Sequence, residues 1–293
     1  MYINHNQMAT NVANTLTSHY GNLQTSTQRL SSGLRVNSAA DDAGLAIREL
    51  MRTDIAALQQ GVRNANDAIS LIQTADGALG VIDEKLTRMK ELAEQAATGT
   101  YDSTQRLMIE SEYQAMASEI TRIANSTDFN GIHLLNGNLS SSVHSGTAMT
   151  STGKMKIHFG TANDSAEDYY YIQIGTSTAS ALGVGNQADA NSKAYTVSTQ
   201  AAAQKALVGL TDAVVSKDKI RAHLGALQNR LENTISNLTT QAENLQAAES
   251  RISDVDVATE MTQFVRNQIL TQSAVAMLSQ ANSMPQMAMQ LIG

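Results

Sequence analysis

The chain has 293 residues, a net charge of −7 and only 4% aromatic side chains, with 13 Met, one Pro and neither Cys nor Trp. The absence of Cys excludes a disulfide framework, a Cys-based metal site and a thiol nucleophile, and the acidic balance invites neither nucleic acid nor anionic lipid. No apolar run reaches the roughly 18 residues of a membrane span, and nothing before Pro285 interrupts a helical hydrogen-bond ladder.

The first segment has no charge. All 20 Lys and Arg and all 27 Asp and Glu fall between Arg29 and Arg266, so residues 1–28 and 267–293 carry none. The N-terminus lacks a basic n-region and a continuous apolar h-region, so no cleavable secretory leader is read there. Met8, Val12, Leu16, Tyr20, Leu23, Leu30 and Leu34 recur at steps of three, four or seven, which predicts one helix with a single apolar face. Gly33 ends it, and Asn37-Ser38 can cap the next.

A long periodic stretch follows. Ile55, Leu58, Val62, Ala65, Ile69 and Ile72, then Leu79, Ile82, Leu86, Met89 and Ala93, predict a heptad seam about 60 Å long at 1.5 Å per residue. Asp102 and Gln105 form a capping-box pattern, and Ile109, Tyr113, Met116, Ile120 and Ile123 give a shorter second helix. The stretch 138–200 is rich in Ser, Thr, Gly, Ala and Asn and reads as a short variable surface segment. Within it Met155, Ile157 and Phe159 alternate with Lys154, Lys156 and His158, and Tyr169–Ile174 reads as a second strand, so a β-hairpin is expected over about 154–174. Leu224, Leu227, Leu231, Ile235, Leu238, Ala242, Leu245, Ile252 and Val255 form the returning seam. The expected fold is mainly α. The N- and C-terminal segments make a long antiparallel coiled-coil bundle, and the middle of the chain supplies the small hairpin.

The last segment mirrors the first. Met261, Val265 and Ile269 step by four, and Met277 and Leu278 continue the apolar content. An isolated uncharged helix is marginal in water. Each buried Leu or Met contributes about 1.5–3 kcal/mol, against backbone ordering of about 1–2 kcal/mol per residue. A lone helix gains little, so the two ends are expected to fold on assembly, shielded by many subunits. The clustered acids Asp41, Asp42, Asp254, Asp256 and Glu260 are expected as salt-bridge partners of Arg29, Arg35, Arg48 or Arg52, with mild repulsion between Asp256 and Glu260. Six scattered His make no HExxH, and no P-loop or nucleophile elbow is present, so neither a catalytic nor a cofactor site is expected. Asn125-Ser126-Thr127 and Asn138-Leu139-Ser140 match the N-glycosylation sequon.

RLSSGLRVNSAADDAGLAI (29–47), GVRNANDAISLIQTADGAL (61–79), ELAEQA (91–96), TDFNGIHLLNG (127–137), LGALQNRLENTISNL (224–238) and AAESRISDVDVATE (247–260) closely resemble bacterial flagellins. The resemblance implies a short flagellin with little or no outer domain. Residues 1–42 with 254–293 would be the terminal helices of the filament inner core, and 43–253 the surrounding tube. It implies a helical homopolymer in a motility filament, secreted unfolded through the flagellar type III channel to an extracellular flagellum. Implied partners are the chain itself, an export chaperone, and the filament cap and hook–filament junction proteins. The same resemblance places Arg88, Leu92 and Glu112 on the surface that a host Toll-like receptor recognises, with Thr87, Lys90 and Glu94 as departures; the alternative is a tube-packing face. A hook–filament junction protein shares the terminal helices, but ISDVDVATE and the central motifs favour flagellin proper.

Overall fold

The first helix, α1 (Gln7–Ser32), begins at Asn6, whose side-chain oxygen accepts the Ala9 N–H at 3.1 Å. It ends at Gly33, which adopts φ 72, a left-handed conformation that a residue without Cβ takes without strain. The computed structural model describes residues 6–36, 42–141, 153–165 and 167–292, with the side chains of 42, 43 and 288–292 not described. The Asn37-Ser38 cap and Asp41 lie outside the described residues, as does the side chain of Asp42.

Along the chain follow α2 (Asp42–Ala97), α3 (Ser103–Ser126), β1 (Asp128–Phe129), β2 (Ile132–His133), β3 (Met155–His158), β4 (Tyr169–Ile172), α4 (Ala179–Leu182), α5 (Gln200–Ser253) and α6 (Val257–Ile292). The chain divides into two compact units, residues 1–55 with 242–293, and residues 56–241.

The second unit holds the bundle. Ala65, Ile72, Leu79, Ile82, Leu86, Met89 and Ala93 of α2 are buried, together with Tyr113 and Ile120 of α3 and Leu224 and Leu231 of α5. These belong to the predicted seams, whereas Ile69, Met116 and Ile235 are half-buried against the core and Ala242, Leu245, Ile252 and Val255 fall in the first unit. Ion pairs tie α2 to α5. Lys217 Nζ lies 2.6 Å from Asp83 and is itself buried, and Arg221 lies 2.7 Å from Asp76. The Asp102 N–H donates to Gln105 Oε1 at 3.1 Å, one arm of the expected box.

Two antiparallel strand pairs lie between α3 and α5 in sequence. β3 and β4 pair with Met155 opposite Ile172 and His158 opposite Tyr169, which is the hairpin the alternation predicts. β1 and β2 close through Asn130 (φ 52) and Gly131 (φ 78), an Asn-Gly turn whose doubly positive φ matches strand twist. That short hairpin went unread in the sequence, although Asn-Gly is its signal.

The described residues of 138–200 contribute to the core of the second unit. Leu139, Ile172, Ile174, Ala179, Val184, Ala194 and Val197 are fully buried. Polar side chains of α3 satisfy the backbone that lies over them. Tyr113 Oη donates to the Ala194 carbonyl (2.6 Å), Gln114 Nε2 donates to the Tyr195 carbonyl (2.9 Å), and Glu110 accepts the Val197 N–H (2.6 Å). Small residues let this backbone approach closely, and their low hydropathy made the segment look like a loop.

Candidate assembly surface

Within the first unit α1 and α6 run antiparallel. Asn6 at the start of α1 bonds the Ala281 carbonyl near the end of α6, and Arg29 near the end of α1 meets Glu260 at the start of α6. The shielded positions of α1 include Ala9, Val12, Leu16, His19, Leu23, Ser26 and Leu30, alternating steps of three and four, with Ala13 and Arg29 beside them. Those of α6 include Glu260, Phe264, Asn267, Thr271, Ala274, Leu278 and Ala281, with the same alternation, and Ser283 and Pro285 beyond them. This is a coiled-coil seam in both helices.

The seam contains Val12, Leu16, Leu23, Leu30 and Leu278 as the sequence predicts, but it leaves out the other expected residues. Met8 and Tyr20 point away from α6, and Met261, Val265, Ile269 and Met277 point away from α1, each between 44% and 57% exposed. Small and polar side chains stand in their place. Ser26 and Thr271 are buried, and the His19 Nδ1 atom is buried without a hydrogen-bond partner. A helix apolar on several sides is one that other helices surround. The steps of four through Met261, Val265 and Ile269 are thus real, but they mark the stripe facing away from α1.

The expected salt bridges form in part. Arg29 Nη1 lies 3.8 Å from Glu260, and both side chains are mostly shielded. Arg35 instead donates from Nη2 to the Ile252 carbonyl (2.6 Å), while its N–H bonds the Ser253 carbonyl (2.6 Å) and the Val255 N–H bonds Gly33 (3.0 Å). The chain turn after α1 is therefore laced to the α5–α6 junction by hydrogen bonds to backbone carbonyls rather than by ion pairs. Asp254 accepts from the Ser250 hydroxyl (2.6 Å) and the Ser253 hydroxyl (3.3 Å). Asp256 accepts from the Thr259 hydroxyl (2.8 Å) and from the Thr259 and Ala258 N–H groups (3.3 and 3.0 Å) at the head of α6. Those bonds, the Thr259 hydroxyl foremost, hold its carboxyl below the usual Asp range. Asp254, Asp256 and Arg35 are cap and turn residues because each has a closer uncharged partner in its own junction. Arg48 is buried, donating to the Val36 carbonyl (2.9 Å) and pairing with Glu49 (3.1 Å).

In the second unit Arg88 bonds Glu112 twice (2.8 and 3.0 Å) and Glu91 once (2.9 Å) on the exposed α2–α3 surface. Leu92 is only 1% exposed and belongs to the core cluster, so it backs this surface without being part of it. Sequence spacing hid the difference, because Arg88 and Leu92 are four apart on a helix whose seam passes between them.

Among the described residues no group of three or more His, Asp or Glu could hold a metal ion, and no helix is long and apolar enough to cross a membrane. Long paired helices whose seam mixes apolar with small and polar residues, and which leave large apolar side chains facing outward, define a mainly α fold with unpartnered apolar surface. Residues 3–140 match the family described as the bacterial flagellin N-terminal helical region, and residues 207–292 the bacterial flagellin C-terminal helical region. The chain is 41% identical over 293 residues to the flagellar filament 33 kDa core protein of Treponema phagedenis, and 43% identical over 310 residues to the flagellin of Bacillus subtilis strain 168. Both alignments cover 100% of each chain. The fold resembles the solved structure of a flagellar hook-associated protein from Vibrio parahaemolyticus, with a TM-score of 0.54 at 13% identity over 73% of this chain and 100% of that one. The chain belongs to the bacterial flagellin family, a family of structural proteins rather than enzymes, whose members are subunits of the flagellar filament.

Proposed function

We propose that the chain polymerises through α1 and α6 into the inner core of a hollow helical filament used for motility. In this reading residues 1–42 and 254–293 supply the core and residues 43–253 the surrounding tube. The observation that carries it is the set of outward-facing apolar side chains, Met261, Val265, Ile269 and Met277, spread around a helix that has no charge after Arg266. Such an apolar surface gains from burial at about 25 cal/mol per Å², and identical subunits meeting through non-closing contacts give an open polymer. Electron microscopy after salting-out tests this. Filaments are expected from the full chain and lost on deleting residues 1–28 or 267–293; filaments that persist without both ends overturn the reading.

Export belongs to the same proposal. A Cys-free chain whose ends are stabilised chiefly by neighbours suits passage in an unfolded state through the flagellar type III channel to a flagellum outside the cell. An export chaperone would cover the apolar ends, and the cap and hook–filament junction proteins would meet them at the filament's two ends. A host Toll-like receptor is a second reading, favoured by the exposed Arg88–Glu112 pair. Receptor activation by monomer that is unchanged in Arg88→Ala would remove it.

A further inference from the structure

Pro285 lies inside α6, four residues after Ala281. A proline has no N–H, so the carbonyl at i−4 loses its helical donor, and the ring crowds that carbonyl. The orphaned acceptor is therefore the Ala281 oxygen. Asn6 Nδ2 donates to that oxygen at 2.8 Å, across 275 residues of sequence. The same Asn6 side chain accepts the Ala9 N–H through Oδ1 at 3.1 Å, capping α1. Its two polar ends thus serve two helices, and the network fixes which end is oxygen and which nitrogen.

We propose that Asn6 and Pro285 form a register latch that sets the alignment of α1 on α6 and so positions the assembly surface. The seam itself specifies register weakly. Its small and polar members, Ala9, Ser26, Asn267, Thr271 and Ala274, would tolerate a slip of one heptad. A carbonyl freed at one defined position removes that freedom, because in α6 only the turn before Pro285 offers an acceptor without a helical donor, short of the helix end. At the opposite end of the pair, Arg29 and Glu260 lie in the same alignment. Asn6 is a positioning residue: it acts through the seam and carries no chemistry of its own.

The proposal rests on the filament reading, and the test separates the two. Asn6→Asp keeps an N-cap acceptor but replaces the donor with a carboxylate facing the Ala281 oxygen. Its critical concentration for polymerisation is expected to rise about 5-fold, the equivalent of one lost hydrogen bond. Pro285→Ala restores the intrahelical N–H, so Asn6→Asp/Pro285→Ala is expected to be less impaired than the sum of the single changes. Equal critical concentrations for wild type and Asn6→Asp, or strict additivity in the cycle, overturn the latch. Register is also read directly, by cross-linking in sedimented polymer. The chain has no Cys, and the Asn6–Ala281 alignment sets Ala9 opposite Leu278. Ala9→Cys/Leu278→Cys is expected to cross-link readily on oxidation, and several-fold more slowly when Asn6→Asp is added. An unchanged rate in polymer refutes the latch alone, whereas wild-type chains that form no polymer refute the filament reading and the latch with it.

Discussion

At the scale of single residues, the second unit depends on a few polar side chains that reach backbone far away in sequence. Tyr113 is the clearest. Its ring is buried among Ala117, Ile120 and the α2 seam, and its hydroxyl ends on the Ala194 carbonyl. Burial, with a smaller contribution from the Glu110 charge, pushes its phenol well above the ordinary tyrosine range. The folded state therefore holds the proton more tightly than the unfolded state does. The stability this contributes is complete below pH 10, the ordinary value, and is lost as pH rises beyond it. Tyr113→Phe is expected to cost about 1 kcal/mol at neutral pH through the missing hydrogen bond. Above pH 10 it should narrow the gap to wild type, since Phe has no proton to lose. Urea unfolding at pH 8 and pH 11 checks both, and a difference that stays constant between them would contradict the assignment.

At the scale of elements, the β3–β4 hairpin is seated by one glycine and one amide. A Cβ at Gly61 of α2 would overlap the Phe159 carbonyl, and Asn64 one turn later donates to the His158 carbonyl at 2.8 Å. Across the hairpin, Arg230 of α5 lies 3.5 Å from the centre of the Tyr170 ring. Gly61→Ala should raise helix propensity by about 1 kcal/mol yet lose about 1–3 kcal/mol through the steric overlap. The net expectation is destabilisation, measurable as a lower thermal midpoint. A raised midpoint would mean that the hairpin can lift away freely. This seat also shows where sequence reading stops. The helices were legible because Leu79, Ile82, Leu86 and Leu224, Leu227, Leu231 repeat with the helical period, and the hairpin because Met155 to Phe159 alternates. The burial of 172–197 was not legible, since Ala179, Ala194 and Gly185 are small residues chosen for closeness to α3, and closeness has no periodic signature. The seam of α1 and α6 was half legible. Period found its spacing, but hydrophobicity assigned the large residues inward, whereas Ser26, Asn267 and Thr271 take the inside.

At the scale of the whole molecule, charge is confined to residues 29–266, and the Arg29–Glu260 pair stands at that border. It sits within the first unit, at the end of the α1–α6 seam remote from Asn6. Its 3.8 Å separation and partial shielding imply a contribution of about 1 kcal/mol, which corresponds to a roughly 5-fold change in the critical concentration of a polymer that contains the seam. Glu260→Arg sets two cations face to face, and that change is expected at low ionic strength. At 1 M salt the Debye length falls to about 3 Å, so most of the penalty should vanish there. The exchange Arg29→Glu/Glu260→Arg restores opposite signs and should recover assembly at low salt. Sedimentation of polymer at two salt concentrations reads all three variants. A Glu260→Arg defect of equal size in both salts would instead indicate a packing fault, and failure of the exchanged pair to recover would show that Glu260 is needed for the start of α6 rather than for Arg29. Recovery confined to low salt would establish that the Arg29–Glu260 charges fix one end of a helix pair whose remaining length, Arg266 apart, carries no charge.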